Sequence, residues 1–350
     1  MKKNAYAKAG VDIELGNQVK TSLPALLKST HRPEVLGTVG GFGGLFSLST
    51  SKYKKPVLVS SVDGVGTKLK VAFAANQHDT IGQDLVNHCV NDIAVLGAEP
   101  LFFLDYLGTG VLKPKVFESI VRGFAIACKE NNCALVGGET AQMPGFYQKG
   151  EYDVSGTIVG VVEKSQILDG RKVKSGDVII GFPSNGLHTN GYTLARDIFF
   201  DKLKLKPSSK VAELGTTVKA ELLKVHRSYL PLLQKLIKRF NPPKAQARIK
   251  GFAHITGGGF VDNIPRILPK NVDAKISLGS WDAQPVFDII QKAGKVSVEE
   301  MHTVFNMGIG MVAIVDSKSA DELSTYLKRI REPHFRIGEI SRGKGRCLLR

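Results

Sequence analysis

The side chains with the clearest chemistry fall in residues 80–92, where Asp84, His88 and Asn91 recur at helical spacing and Asp92 lies at the margin of their stripe. At 3.6 residues per turn they share one narrow face, while Leu85, Val86, Cys89, Val90 and Ile93 take the opposite side. Such a stripe is either the solvated face of an amphipathic helix or a set of ligands. It carries no lysine or glutamate, the usual residues of a wet face. Asp92 also stands close to the apolar side, where a carboxylate needs a cation. Magnesium, a hard ion that takes oxygen ligands, is the obvious candidate.

A second group is rich in glycine. "SSVDGVGTKLK" (60–70) sets Asp63, Gly64 and Lys68 just after an apolar run, a composition that suits a phosphate turn or a simple connection between strands. "GGFGGLF" (40–46), "GGET" (137–140) and "ITGGGF" (255–260) follow the same trend. Glycine lets backbone amides approach phosphate and lets a turn take positive φ. None of the four fits GxxxxGK[ST] or GxGxxG, so neither a P-loop nor a dinucleotide fingerprint is present. "TGGG" (256–259), feeding a helix start, is the best phosphate candidate among them. His188 in "SNGLHTNGY" and His254 in "AHITGGG" stand beside these loops, either as structural imidazoles or as acid–base groups.

These residues need a mixed α and β frame to bring them together. "KPVLVSSV", "LFFLDYLG", "DVSGTIVGVVEK", "DVIIGF" and "GMVAIV" read as strands, and "CALVGGET" as a strand ending in a glycine turn. Helices are expected over 80–96, with Asp79 or Thr80 as N-cap and Gly97 past the end, and from Pro114 onward. "AELLKVHRSYLPLLQKLIKRF" reads as a helical region interrupted by Pro231, and "SADELSTYLKRI" as a late helix capped by Ser319. The polar stretch 165–176 marks a boundary, giving domains 1–170 and 171–350 in a chain of 350 residues, long enough for two cores.

The charge balance of +16 fits anionic small molecules, nucleic acid or a lysine-rich wet surface. No aromatic-and-basic cluster, like-charge tail, signal-peptide pattern or membrane-length apolar run accompanies it. Cys89, Cys128, Cys133 and Cys347 have no zinc spacing and read as reduced thiols of a cytoplasmic protein.

Taken in order, "YAKAGVDIELGN", "PVLVSSVDGVGTKLK", "HDTIGQDLVNHCVNDIAVLGAEPLFFLDYLGTG", "LVGGETAQMPGFY", "SNGLHTNGYTLAR", "HITGGGFVDNIPRILP" and "FNMGIGM" resemble the phosphoribosylformylglycinamidine cyclo-ligases, with matching motifs from residue 6 to about 311. The resemblance implies an α/β (α+β type) subunit of two domains: an amino-terminal mixed sheet that forms a barrel with its twin in a homodimer, and a carboxy-terminal α/β domain that completes the active site. It implies ATP and Mg²⁺, formylglycinamidine ribonucleotide as substrate, and no nucleic acid or membrane partner. It further implies Asp63 and Asp92 as magnesium ligands and Lys68 as a counter-charge to phosphate. Gly64, Asp84 and Asn91 would belong to the same ATP site, and Gly137, Gly138 and Glu139 would reach nucleotide across the dimer. His188 and His254 are the candidates for the base, and the glycines of "TGGG" would suit the ribose phosphate. Val62 and Gln142 stand where the family commonly has threonine and glutamate. Selenophosphate synthetases share the fold, but "GGFGGLF" lacks their reactive cysteine; in the hydrogenase maturation dehydratases the terminal cysteine ends the chain, whereas "LLR" follows Cys347.

Overall fold

In the computed structural model, which describes residues 5–21, 23–49 and 51–350, the chain divides into two units. One takes in residues up to Ile93 together with Ala98–Glu163; the other comprises Ala94–Gly97 and Lys164–Arg350.

The first unit is built on four strands, β1 (Pro56–Gly64), β2 (Glu99–Thr109), β3 (Ala134–Gln142) and β4 (Tyr152–Glu163), in the order β1-β4-β2-β3. β4 is antiparallel to both of its neighbours, and β2 and β3 are parallel. A parallel pair needs a crossover, which α3 (Pro114–Glu130) supplies; its Phe117, Ile120, Val121 and Phe124 are buried, and the Phe124 ring lies 6.2 Å from that of Phe103 on β2. Helix α2 (Ile81–Ala94) packs on the same face of the sheet, where the Cys89 thiol donates to the Gly156 carbonyl of β4. On the other face Leu58 and Val62 of edge strand β1 are 61% and 65% exposed.

Two local expectations change. "VGTKLK" is not a continuous loop, because helix α1 (Lys68–Ala75) opens at Lys68 and turns that lysine inward. The glycines of "GGET" do not end their strand either: β3 pairs with β2 as far as Gln142, through a register shift at Phe103/Leu104 that takes up the irregularity. Gly138 is needed there for space, since a β-carbon would stand 2.3 Å from the Asp105 carboxylate on β2.

The second unit holds a six-stranded sheet of β5 (Val178–Pro183), β6 (Ile249–His254), β7 (Val272–Ile276), β8 (Ile309–Val315), β9 (Phe335–Arg342) and β10 (Cys347–Leu349). Their order is β10-β7-β9-β5-β8-β6, antiparallel except for the β10–β7 pair. Every residue of β6 and β8 is buried, which is why "GMVAIV" is apolar throughout rather than alternating. The helical region before β6 breaks at residues 223–229 instead of at Pro231: α4 (Val218–Leu222) ends early, and Pro231 sits in the first turn of α5 (Leu230–Phe240), where its missing N–H leaves no bond unmade. Ser319 precedes the helix Ala320–Arg329 as expected, but its hydroxyl makes no cap bond.

All four cysteines are unbridged and buried. Burial pushes the Cys89 and Cys128 thiols well above their usual value, and that of Cys347 up to about 12. Among the described residues no helix is long and apolar enough to cross a membrane.

Candidate functional site

Each unit gathers part of the chemistry. In the first, β1 delivers Asp63 near its end while α2 presents His88 and Asp92 one turn apart. His88 Nε2 lies 2.9 Å from Asp63 Oδ2 and 4.0 Å from Asp92 Oδ2. Ser61, two residues before Asp63 and so on the same side of the strand, donates its hydroxyl to Asp92 Oδ2 at 3.1 Å. Asp63 Oδ1 accepts from the Gly64 N–H at 2.7 Å, and its carbonyl accepts from Ser155 Oγ. The imidazole is buried, whereas the Asp63 and Asp92 side chains keep 40% and 27% of their surface, so both carboxylates can still meet a ligand.

Electrostatics tie this group together. Burial works against a charged His88, but the Asp63 hydrogen bond and the charges of Asp92, Asp63 and Asp84 outweigh it and raise its pKa. Burial likewise pushes Asp63 up, yet the His88 bond and charge, helped by the Gly64 N–H, hold the carboxyl below its ordinary value. Two carboxylates and a hydroxyl around one point form a hard, oxygen-rich donor set of the kind that suits a divalent cation.

The remaining members of the helix stripe do something else. Asp84 and Asn91 are fully buried, not part of a wet face. Asp84 binds the Lys68 ammonium at 2.8 Å, with both side chains completely enclosed. Burial lowers the Lys68 pKa against the pull of Asp84. Lys68, expected as a counter-charge to phosphate, here neutralises Asp84 and fastens α1 to α2, since a buried ammonium needs a buried anion. Gly138 and Glu139 lie exposed on edge strand β3, with Gly137 beside them partly covered. Asp105, opposite Gly138, had no sequence signal beyond being an acid within a strand. Burial pushes its carboxyl up to about 7, against a backbone hydrogen bond and with the help of the Glu139 charge.

In the second unit the two expected histidines come together with a third. The His188 and His226 rings stack at 4.1 Å and 23°, and His226 Nε2 meets His254 Nε2 at 3.1 Å. His226 Nδ1 is 3.2 Å from the Thr189 hydroxyl. All three imidazoles are buried. His254 ends strand β6; His226 lies in the 223–229 segment between helices; His188 has φ of +61°. Left-handed backbone at a non-glycine residue costs about 1–2 kcal/mol, so its surroundings must hold it. Asn306 does much of that: it accepts from Ser184 Oγ and the Gly308 N–H and donates to the Gly186 carbonyl. Gly310 makes the room, since a β-carbon there would stand 2.3 Å from Tyr229 Oη and 2.6 Å from His188 Cε1.

The glycine turn after His254 is braced from inside. Asn263 donates to the carbonyls of Thr256, Gly257 and Gly259, and accepts from the Thr256 hydroxyl. The helix that follows is only Gly259–Asn263. His226, Thr189, Asn306 and Asn263 are thus functional candidates that pattern alone did not single out.

Comparison with known proteins agrees with both halves. Residues 50–162 match the model of the AIR synthase related protein, N-terminal domain, and residues 174–348 that of the C-terminal domain. The chain is 51% identical to the phosphoribosylformylglycinamidine cyclo-ligase of Syntrophotalea carbinolica over 97% of its own length and 95% of the relative's. It is 53% identical to that of Trichlorobacter lovleyi, over 96% and 94%. Among solved structures it is similar to thiamine-monophosphate kinase from Stenotrophomonas maltophilia, with a TM-score of 0.69 at 18% identity over 93% of this chain and 94% of that one. It is also similar to hydrogenase maturation protein HypE in complex with ATP, with a TM-score of 0.66 at 16% identity over 95% and 90%.

Proposed function

The chain belongs to the phosphoribosylformylglycinamidine cyclo-ligases, within the AIR synthase related family, and we infer from that membership that it closes the imidazole ring of aminoimidazole ribonucleotide in de novo purine biosynthesis. Formylglycinamidine ribonucleotide and ATP give aminoimidazole ribonucleotide, ADP and phosphate. The formyl oxygen is a poor leaving group, so it first takes the γ-phosphoryl group of ATP; the amidine nitrogen then attacks the activated carbon and phosphate departs. Phosphoryl transfer of this kind depends on positioning and charge neutralisation more than on covalent help from the protein.

Asp63 and Asp92 are the residues that would hold magnesium. The observation that carries this assignment is their convergence on one buried imidazole, with Ser61 Oγ on the same carboxylate. When bound, the metal neutralises phosphate charge. The chain's own part is to orient the carboxylates and to hold Asp63 in its ionised form, which His88 does from the buried side. Gly138 and Glu139, exposed on edge strand β3, are the segment offered to nucleotide, with Gly137 next to them.

The ring-closing nitrogen must lose a proton, and His254 is favoured as its acceptor over His188, because His226 orients His254 by a direct hydrogen bond. A base held by a third group is the recurrent arrangement of acid–base sites. The braced turn at Thr256–Gly259 is assigned to the substrate's ribose phosphate. A homodimer is proposed as well, supported by the open sheet face that carries Leu58 and Val62; light scattering should find a dimer, and Val62→Lys should shift it toward monomer.

The central test is ADP release from ATP and Mg²⁺ with formylglycinamidine ribonucleotide, followed together with formation of the imidazole product. Absence of substrate-dependent ADP would sink the assignment. His254→Ala and His188→Ala should differ, with the larger loss of kcat at His254; equal and mild losses would remove both from the role of base.

A further inference from the structure

We propose that the second unit carries a separate binding site for a nucleoside diphosphate, in a cavity of about 390 Å³ bounded by the stretch 164–172, helix α5 and the loop 241–249. That volume falls within the roughly 300–1,000 Å³ of small-molecule sites. The cavity shares no residue with the carboxylate group of the first unit or with the three histidines. Ile249 and Lys250 line it at the opposite end of β6 from His254, so about 17 Å of strand separates it from that imidazole.

The charges point to the polar end of the ligand. Five basic side chains line the cavity, Lys164, Arg171, Lys172, Lys244 and Lys250, against one carboxylate, Asp169. Two of the five are answered inside the protein. Lys250 Nζ meets Asp177 at 2.5 Å and Asp316 at 3.3 Å, and Arg171 Nε meets Asp169 Oδ2 at 2.7 Å. Lys164, Lys172 and Lys244 remain, and among the described residues none of the three pairs with a carboxylate. A terminal phosphate carries about −1.5 to −2 charges near neutral pH, so one phosphate leaves an ammonium unanswered and a diphosphate answers all three.

The rest of the wall is apolar and stiff. Ile167, Leu168, Ile237 and Ile249 supply aliphatic surface, and Pro242 and Pro243 a rigid edge on which a flat base can lie. Asn241 fixes the loop: its Nδ2 donates to the Ile249 carbonyl at 2.7 Å, and its Oδ1 accepts from the Arg248 and Ile249 N–H groups at 2.9 and 3.0 Å. Lys244 sits in the turn closed by Ala245 N–H on the Pro242 carbonyl. Its φ of +68° is a left-handed backbone that a lysine keeps only where its surroundings impose it. A wall ordered before the ligand arrives loses less entropy on binding.

The test uses the full chain with ADP as the probe, and lysine acetylation read by mass spectrometry. ADP should slow acetylation of Lys164, Lys172 and Lys244 several-fold and leave Lys238, on α5 but outside the cavity, unchanged. Asp92→Asn, at the metal site, should keep that protection; its loss there would trace the effect to the catalytic site and overturn the proposal. In the Lys172→Glu/Lys244→Glu double variant Lys164 becomes the reporter. Its half-protecting ADP concentration should rise about tenfold or more, because two repulsions replace two attractions. All three lysines are exposed, so the variant should fold, with kcat for ring closure within about twofold of native. Inorganic pyrophosphate should protect more weakly than ADP, and adenosine not at all. Equal protection by pyrophosphate overturns the nucleoside part of the assignment. Absence of ADP protection at all three lysines, or an unshifted midpoint in the double variant, overturns the site itself.

Discussion

Both units bury a lysine against carboxylates, but they treat their reactive groups differently. In the first, Lys68 answers Asp84 and His88 answers Asp63, all within one strand, its following helix and α2. Charge is the organising force, and each ionised group depends on the next. In the second, Lys250 pairs with Asp177 at 2.5 Å and Asp316 at 3.3 Å, whereas the imidazoles are held by one another, by a threonine hydroxyl and by space left at Gly310. Shape and hydrogen-bond direction dominate there. A site that must meet a polyanion needs charges kept ready; one that moves a single proton needs angles kept constant.

The contrast can be broken most forcefully at Lys68. Lys68→Met strands the Asp84 carboxylate in a closed interior and is expected to cost about 3–5 kcal/mol in urea unfolding. Adding Asp84→Leu should recover most of that loss, and a nearly unchanged stability in Lys68→Met would overturn the anchoring role of the buried pair. Next in size is Asp92→Asn, which keeps an acceptor for Ser61 but loses the charge. Its kcat should drop about 10²–10³-fold without loss of folded protein by circular dichroism, as for removal of one electrostatic stabiliser. A rate within a few-fold of native would detach Asp92 from the metal.

On the other side of the comparison, Gly310→Ala changes no charge. The added carbon would press on Tyr229 and His188, for an expected loss of about 1–3 kcal/mol together with reduced turnover. Smaller effects come from one carboxylate in each unit, and their signs are opposite. Asp105 is raised from 3.8 to about 7, so the native state holds a proton that the unfolded chain has already released; stability falls as pH rises between those values. Asp105→Asn should flatten this slope in thermal melts between pH 4 and 7. Asp273 is lowered from 3.8 by the N–H groups of Arg346 and Lys344. Its contribution is present above the unfolded value and is lost as pH falls through the lowered one. Asp273→Asn should remove that part of the acid sensitivity and leave behaviour at neutral pH almost unaltered.

What could be read from the chain follows from the range over which each signal acts. Strands at 55–62 and 177–182 were legible because β-branched runs bounded by turns are local signals. The helix over Ile81–Ala94 was legible by its period, and Asp84, His88, Asn91 and Asp92 were set apart by their types, whereas only the family resemblance joined Asp63 to Asp92. The burial of Asp84 and Asn91 was not, since it depends on what packs across the polar stripe. Helix α1 was hidden by "VGT", three residues of low helix propensity just before it. His226 escaped notice because "ELLKVHRSYLPLLQ" keeps an apolar rhythm across a segment that the fold straightens at 223–229. Contacts between residues 189, 226 and 254 arise only from the tertiary fold.

The burial of the four cysteines has a practical side. Thiolates do the reacting, and three of these thiols are held protonated by their apolar surroundings. Alkylating reagents should therefore spare the native protein over a working day at neutral pH. A single cysteine introduced at an exposed position of the second unit, at Val298 for example, would be the fast-labelling position, so that fluorophores or spin labels could be attached without first removing any native residue.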